Sequence, residues 1–431
     1  MGACLSVELG RPFRLMWWAT GLSAVGDGMV LVGFPLLALR YTHDPLAISG
    51  VAVAGRLPAL VVALPAGALA DRFNRRRLAV AIELVRLAVL AAFVAVVLLG
   101  RDGLAAIFPT VVVLGSLTVA FDVVASAALP SLVAPDQLLS ANARLLSAEL
   151  TGEEVVGRAA GGLALAVATA APFLADAASF VVSAALVRTA IPDHRQAPVS
   201  SSLGRQIIDG LRWMAREPVL RRMLLTMTCL AFFQSAVLSV LPLYATRTLH
   251  LHAAGYGLML GVSGLGNLLG ARAATPLHRR LSTTATVALG AALASATYIT
   301  LAETRSAYIA GAALLLETAA VIIGNVAMRS VRQSTTPPEL QGRTASAFQT
   351  AVLTALPLGG VLGGLLAARA GISRTYLAAA VAQLVAIALL MRPRAGITAQ
   401  AGGPGTRKLA HGGAQWSIEE TAPRRDGSAD A

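Results

Sequence analysis

Twelve stretches of about 20 mostly apolar residues, separated by short polar gaps, run through the sequence, and that length is what an α-helix needs to cross the hydrocarbon core of a bilayer. Approximate limits are 14–39, 47–70, 78–99, 104–128, 142–167 and 170–190. After a polar gap come 222–245, 253–274, 283–302, 306–328, 343–368 and 372–391. The run 142–167 is the weakest, because it carries Glu149, Glu153, Glu154 and Arg158. The pattern predicts an all-α integral membrane protein of about twelve transmembrane helices. Composition agrees: the chain is 56% hydrophobic and 13% charged, where a soluble domain is about half apolar and a quarter charged.

The net charge of +13 raises the question of a polyanionic partner. Nucleic-acid binders place their cations on a polar domain; here they sit in short gaps between apolar runs, and no nucleic-acid partner is expected. Cys4 and Cys229 can form no disulfide framework and have no metal-ligand spacing, so neither metal nor cofactor is expected. The opening MGACLS fits a myristoylation pattern so permissive that chance is the better reading. The first apolar run is long, contains Asp27 and reads as an uncleaved span.

Arginine placement sets the expected orientation. One set of gaps holds Arg72 to Arg77, Arg188 to Arg222, Arg272 to Arg280 and Arg329 to Arg343; the opposite set holds only Arg40, Arg101, Arg247, Arg305, Arg369 and Arg374. The rich side is expected to be cytoplasmic, with both termini inside a cell membrane. The expected domains are a six-helix bundle over 1–190, a cytoplasmic linker over 191–221, a second six-helix bundle over 222–391 and a disordered tail over 392–431. Within the linker, Ile207, Ile208, Leu211, Met214 and Leu220 recur at helical spacing, which predicts an amphipathic helix on the inner membrane face.

The segment GALADRFNRRRL at 67–78 recurs as GARAATPLHRRL at 270–281, with Gly67 matching Gly270 and Arg76 and Arg77 matching Arg279 and Arg280. A repeat between the second and eighth spans is what duplication of a six-helix unit would leave. The residues Gly67, Asp71, Arg72, Arg75 and Arg76 also fit G-x-x-x-D-R-x-G-R-R, with Asn74 in place of the second glycine. On these residues the chain resembles a major facilitator superfamily transporter, and the likeness covers most of residues 13–391. GDG at 26–28, Glu83-x-x-Arg86, Asn142-Ala143, DAASF at 176–180 and GLRWMAREPVLRR at 210–222 resemble the macrolide- and enterobactin-exporter-like subgroup.

The resemblance implies two pseudo-symmetric six-helix bundles and a monomer. It also implies that the motif loop is a cytoplasmic gate, with Asp71 meeting a helix that begins near Gly342–Thr344; a carboxylate beside a helix N-terminus gains about 0.3–1 kcal/mol, weak enough to break again. Asn74 is expected to keep the turn by tolerating a left-handed conformation. In the fifth span, where family exporters carry G-x-x-x-G-P-x-x-G-G, this chain has Glu153, Gly157, Arg158, Gly161 and Gly162, so that motif does not by itself argue for antiport.

Charges inside the spans are the remaining signal, since each would cost about 2.5–3.5 kcal/mol facing lipid and is expected to face the interior. Glu83 and Arg86 are helical neighbours at i,i+3, and Glu154 and Arg158 at i,i+4. Asp27 and Arg56 lie about 20 and about 21 Å from the inner ends of successive helices, which predicts a third pair. That leaves Asp122, Glu149, Glu153, Asp176 and Glu317 without a cation. Asp122 and Glu149 fall at similar depths, roughly 9 and 10 Å, and Glu149 shares a face with Glu153. Asp27, Asp122, Glu149, Glu153 and Glu317 are the candidates for handling protons or substrate. Capping or packing is favoured for Asp176, and packing hydrogen bonds for Gln234 and Asn325.

The expected function is secondary transport by alternating access, with no enzymatic activity: export of an amphiphilic small molecule, such as a drug or antibiotic, against inward proton flow. Export and its direction follow from the resemblance. The absence of a GxxxxGK[ST] loop argues against ATP drive. Alternatives are export of a siderophore or other metabolite, uptake by symport, and a non-transporting membrane sensor.

Overall fold

The computed structural model describes residues 9–193, 203–337 and 340–391, and every regular element among them is helical. The first half comprises α1 (Arg11–Ala38), α2 (Pro45–Arg56), α3 (Ala59–Arg72), α4 (Arg75–Leu98), α5 (Leu104–Ala128), α6 (Leu138–Leu150), α7 (Arg158–Val167) and α8 (Ala171–Ala190). After α9 (Leu203–Arg216), the second half comprises α10 (Pro218–Ser239), α11 (Leu241–Arg247), α12 (Ala253–Arg280), α13 (Thr283–Glu303), α14 (Ala307–Thr335), α15 (Gln341–Ala370) and α16 (Ile372–Met391).

Pairs of shorter helices make single crossings. Pro58, which cannot donate to a helical ladder, separates α2 from α3, and a break at Val240 separates α10 from α11. Between α6 and α7 the chain widens into a π-helical turn, Thr151–Gly157. Among the described residues twelve crossings result. Ten spans are long and apolar enough on their own to cross a membrane. The other two crossings are the charge-bearing α6–α7 pair and α12, which is rich in glycine.

Within the first half α1 and α4 pack on α8, and α2, α3 and α4 reach α5; within the second half α12 and α13 pack on α14, and α10 on α15 and α16. Across the halves α7 meets α12 and α2 meets α15. The halves share one apolar core, in which Val32, Leu36 and Leu165 join Val237, Tyr244, Tyr256 and Leu260. Small residues let backbones approach closely at such crossings. A Cβ on Gly162 would lie 2.7 Å from the Cα of Gly257, and one on Gly257 would lie 2.6 Å from the Cα of Gly162, so neither position admits a side chain. Where the end of α11 meets the segment before α2, the Arg247 guanidinium donates to the His43 carbonyl at 3.0 Å.

The loop between α3 and α4 departs from expectation in its turn. Asn74 has φ −65° and ψ 116°, so no left-handed residue is needed. Its side chain instead caps α4, accepting from the Arg77 amide at 3.1 Å, while Nδ2 donates to Asp193. Arg75 anchors the loop by donating to the carbonyl of Ala127 at 2.7 Å, at the end of α5. The duplicated cations also take different places: Arg76 and Arg77 begin α4, whereas Arg279 and Arg280 end α12, because the second cap is Ser282. The side chain of Asp71, and with it the expected gate contact, lies outside the described residues.

The amphipathic helix forms as α9, but its described apolar side chains face protein. Met214 is buried in a cluster with Leu220, Met223, Met227 and Ala347, and Gly210 lies against the Arg343 carbonyl of α15. The helix is a brace on α10 and α15. The side chains of Ile207 and Ile208, and the whole of 392–431, lie outside the described residues.

Gly28 of α1 has the carbonyl of Glu153 and the Cα of Gly157 where a Cβ would stand. Gly28→Val is therefore expected to push α1 off the π-helical turn and to destabilise the protein by roughly 1–3 kcal/mol, the usual cost of overpacking. A lowered thermal midpoint in detergent checks this.

Candidate functional site

Three of the stretches that carry the subgroup resemblance converge on one side chain. Arg86 on α4 is 1% exposed, and its guanidinium forms ion pairs with Glu83 at 3.2 Å and with Asp27 of α1. It also donates to Ser23 at 3.1 Å and to Thr118 at 3.0 Å. The ring of Phe180, from DAASF, lies 4.1 Å from the guanidinium carbon. Glu83 in turn accepts from Ser183 of α8 at 2.5 Å. Asp176, the first residue of DAASF, is fully buried against Gly26; a Cβ on Gly26 would collide with it. The glycines of GDG are thus the spaces that admit Asp176 on one side and the π-helical turn on the other.

This cluster corrects one expected pairing. Asp27 pairs with Arg86, and Arg56 forms no ion pair among the described residues. Depth along the helices was the wrong guide: Arg86 is enclosed by protein and needs carboxylates, whereas Arg56, at the break between α2 and α3, lines a cavity. The pairs Glu83–Arg86 and Glu154–Arg158 form as the spacing implies, the second at 2.6 Å.

The cavity in the first half has a volume of about 320 Å³. Asp27, Arg56, Asp122, Glu149 and Glu153 all reach its wall, among apolar groups such as Leu31, Phe34 and Val111. Asp122 and Glu149 are exposed, and the surface they expose includes this wall. Asp122 lies within electrostatic reach of Glu149, Asp27 and Glu153. Arg158 and Arg56 act on Glu153 from beyond ion-pair distance. Among the described residues, Asp122, Glu149 and Glu153 make no ion pair. The π-helical turn separates the roles of adjacent acids: Glu153 reaches the cavity, while Glu154 is taken by Arg158. Such turns recur at functional sites.

A second cavity of about 320 Å³ lies in the other half, and Glu317 is buried in its wall. Gln234 donates to the Glu317 carboxylate at 2.9 Å, and Tyr298 lines the same cavity close by. Asn325 lines the same cavity, as do Met223, Met227 and Phe348. Glu317 is therefore well separated in environment from the acids of the first half. The sequence singled out Glu317, Gln234 and Asn325 but not Tyr298, Ser295 or Gln383. Their polar roles depend on which faces of α13 and α16 meet, and no spacing within one helix reports that.

Both cavities reach from mid-membrane toward the cation-rich ends of the helices, with Thr20 and Glu149 in one and Arg329 and Arg332 in the other. Leu356 of α15 borders both. The family described as transmembrane secretion effector matches residues 8–401. The chain belongs to this family of major facilitator transporters.

Relatives of this transporter include the multidrug efflux pump Tap of Mycolicibacterium fortuitum, 30% identical over 392 residues that cover 87% of this chain and 93% of that protein. Tap of Mycobacterium tuberculosis (strain ATCC 25618 / H37Rv) is 29% identical over 391 residues, covering 86% and 90%. Among solved structures, a bacterial homologue of the lysosomal transporter Spinster, inward-facing and occupied, has a TM-score of 0.71 at 13% identity, covering 88% of this chain and 95% of its own. A bacterial homologue of the iron transporter ferroportin in its inward-facing state has a TM-score of 0.67 at 17% identity, covering 90% and 100%. These two likenesses establish the fold of the transporter as that of a major facilitator.

Removing one partner from a buried ion pair costs about 3–5 kcal/mol, because the other charge is left uncompensated. In this transporter Arg86→Met is expected to destabilise on that scale. Arg86→Met combined with Glu83→Gln and Asp27→Asn is expected to recover part of the loss. Thermal unfolding of the purified variants measures both.

Proposed function

We propose that the protein is a proton-coupled exporter of amphiphilic small molecules, working by alternating access as a monomer in the cell membrane. The observation that carries this reading is the first-half cavity wall, where Asp122, Glu149 and Glu153 stand without an ion-pair partner among the described residues. Carboxylates in that setting are suited to taking up and releasing protons as access changes sides. The relatives named as multidrug efflux pumps support drug-like substrates and outward transport. The apolar walls with a few polar groups suit amphiphiles.

The cation-rich ends of the helices support a cytoplasmic placement of that side and of both termini. On this orientation the cavities open to the cytoplasm, the side from which an exporter loads. The bilayer, a small-molecule substrate and protons are the partners of the reaction, and Asp27, tied to Arg86 at the cavity wall, is placed to sense their exchange.

In inside-out vesicles, adding ethidium is expected to dissipate an imposed proton gradient. Glu153→Gln is expected to abolish that response while the variant still reaches the membrane. Ethidium transport at equal rates with and without a gradient would reject the coupling. Cysteines in place of His43 and Arg247, joined by a short bifunctional maleimide, are expected to stop transport by holding the cross-half contact shut. Undiminished transport in the joined protein would reject alternating access about that contact.

A further inference from the structure

A third cavity, a chamber of about 70 Å³, lies where the two halves meet. Arg56 of α2 and Arg158 of α7 line it from the first half, and Ser235, Ser239 and Tyr256 line it from the second. Leu31, Pro35, Ala52, Arg56 and Leu356 also border the first-half cavity, so the two spaces adjoin. No carboxylate lines the chamber among the described residues. Asp27, Asp122, Glu149 and Glu153 stand on the wall of the larger cavity instead.

The chamber's positive charge is only partly met. Arg158 is paired with Glu154 at 2.6 Å, yet its Nε is buried and has no acceptor. Arg56 forms no ion pair among the described residues. Glu153 and Glu154 act on Arg56 from beyond ion-pair distance, and Arg158 repels it. The serine protons are committed elsewhere: Ser235 donates to the Leu356 carbonyl at 2.6 Å, and Ser239 to the carbonyls of Ala236 and Gly360 at 3.1 and 3.2 Å. The wall therefore offers guanidinium N–H groups and a phenol as donors, with one positive charge beyond what Glu154 balances. Among apolar helices such a charge is costly unless an acceptor of opposite sign joins it.

Size and sign together name the occupant. A water takes up about 30 Å³ in the liquid, so this chamber excludes a drug-sized solute and admits one small ion. A cation has the wrong sign, and water alone leaves the charge in place. One unmatched positive charge calls for a monovalent partner. We propose that the chamber is a binding site for a small monovalent anion of the chloride class, held by Arg56 and Arg158. Because helices of both halves build the wall, the bound ion stabilises the arrangement in which that wall is assembled. The site goes beyond proton-coupled export and does not rest on it.

Binding is measurable without transport. Full-length protein in nanodiscs, prepared in sodium gluconate, is titrated calorimetrically with sodium chloride or sodium bromide at constant ionic strength, and its thermal midpoint is followed in parallel. Gluconate is too large for the chamber and serves as the reference anion. Chloride and bromide are expected to bind saturably and to raise the midpoint. Arg56→Gln is expected to weaken both at least tenfold and to remove the rise. No saturable heat, equal midpoints in gluconate and chloride, or unchanged chloride affinity in Arg56→Gln would overturn the assignment. Should Arg56→Gln fail to fold, anomalous diffraction from the unaltered protein crystallised in bromide decides: a peak beside Arg56 and Arg158 supports the site, and no peak there refutes it. Vesicles that exchange ethidium for protons, paired with purified protein that binds no chloride, would sink this site and leave coupled export standing. Chloride binding by a protein that dissipates no proton gradient would do the reverse.

Discussion

A guanidinium sealed inside a bundle of apolar helices obliges its surroundings to supply negative charge and acceptors, and Arg86 draws on four crossings to obtain them. Asp27 and Ser23 come from α1, Glu83 from its own helix and Thr118 from α5, while α8 contributes the Phe180 ring and, through Ser183, the far oxygen of Glu83. Because removing the guanidinium leaves two carboxylates uncompensated, and removing a neutral partner leaves a buried polar group unmet, the four helices are bound to one mutual arrangement. The first-half cavity is a consequence: α1 and α5 are held so that their remaining polar groups border a gap.

The two cavities are alike in volume and unlike in chemistry. The first gathers several carboxylates and one arginine around a π-helical turn; the second holds one buried carboxylate among amides, a phenol and methionines, with Arg329 and Arg332 toward one end. Duplicated topology therefore does not mean duplicated roles. The same divergence appears in the loops, where the aligned arginine pairs begin a helix in one half and finish one in the other.

Crossings, their order and most of their ends are legible in the sequence, because the thickness of a bilayer fixes segment length and little else competes with it. The local ion pairs, Glu83–Arg86 and Glu154–Arg158, are legible for a similar reason: i,i+3 and i,i+4 spacing settles them within one helix. Asp27 with Arg86 was not, since the pairing depends on which helix faces α1 across the interior. Asn74 was misread because residue preference for a left-handed turn was weighed where an N-cap was available. The π-helical turn carries no hydropathy signal, and Gln383 stands apart only once Ala291 and Ser295 are seen to hold its amide. Short-range geometry is written along the chain; the facing of helices is written in the packing of all of them.

The contact between Gly162 and Gly257 has a mechanical corollary. At that one point two bare backbones touch, so no side chain there has to lift from a hole or change rotamer. Resistance to motion at the seam then rests on the apolar side chains the halves share, Leu165 and Tyr256 among them, and on polar ties such as Arg247 to His43. On the proposed mechanism, a side chain at either glycine would hinder the swing between states without touching either cavity.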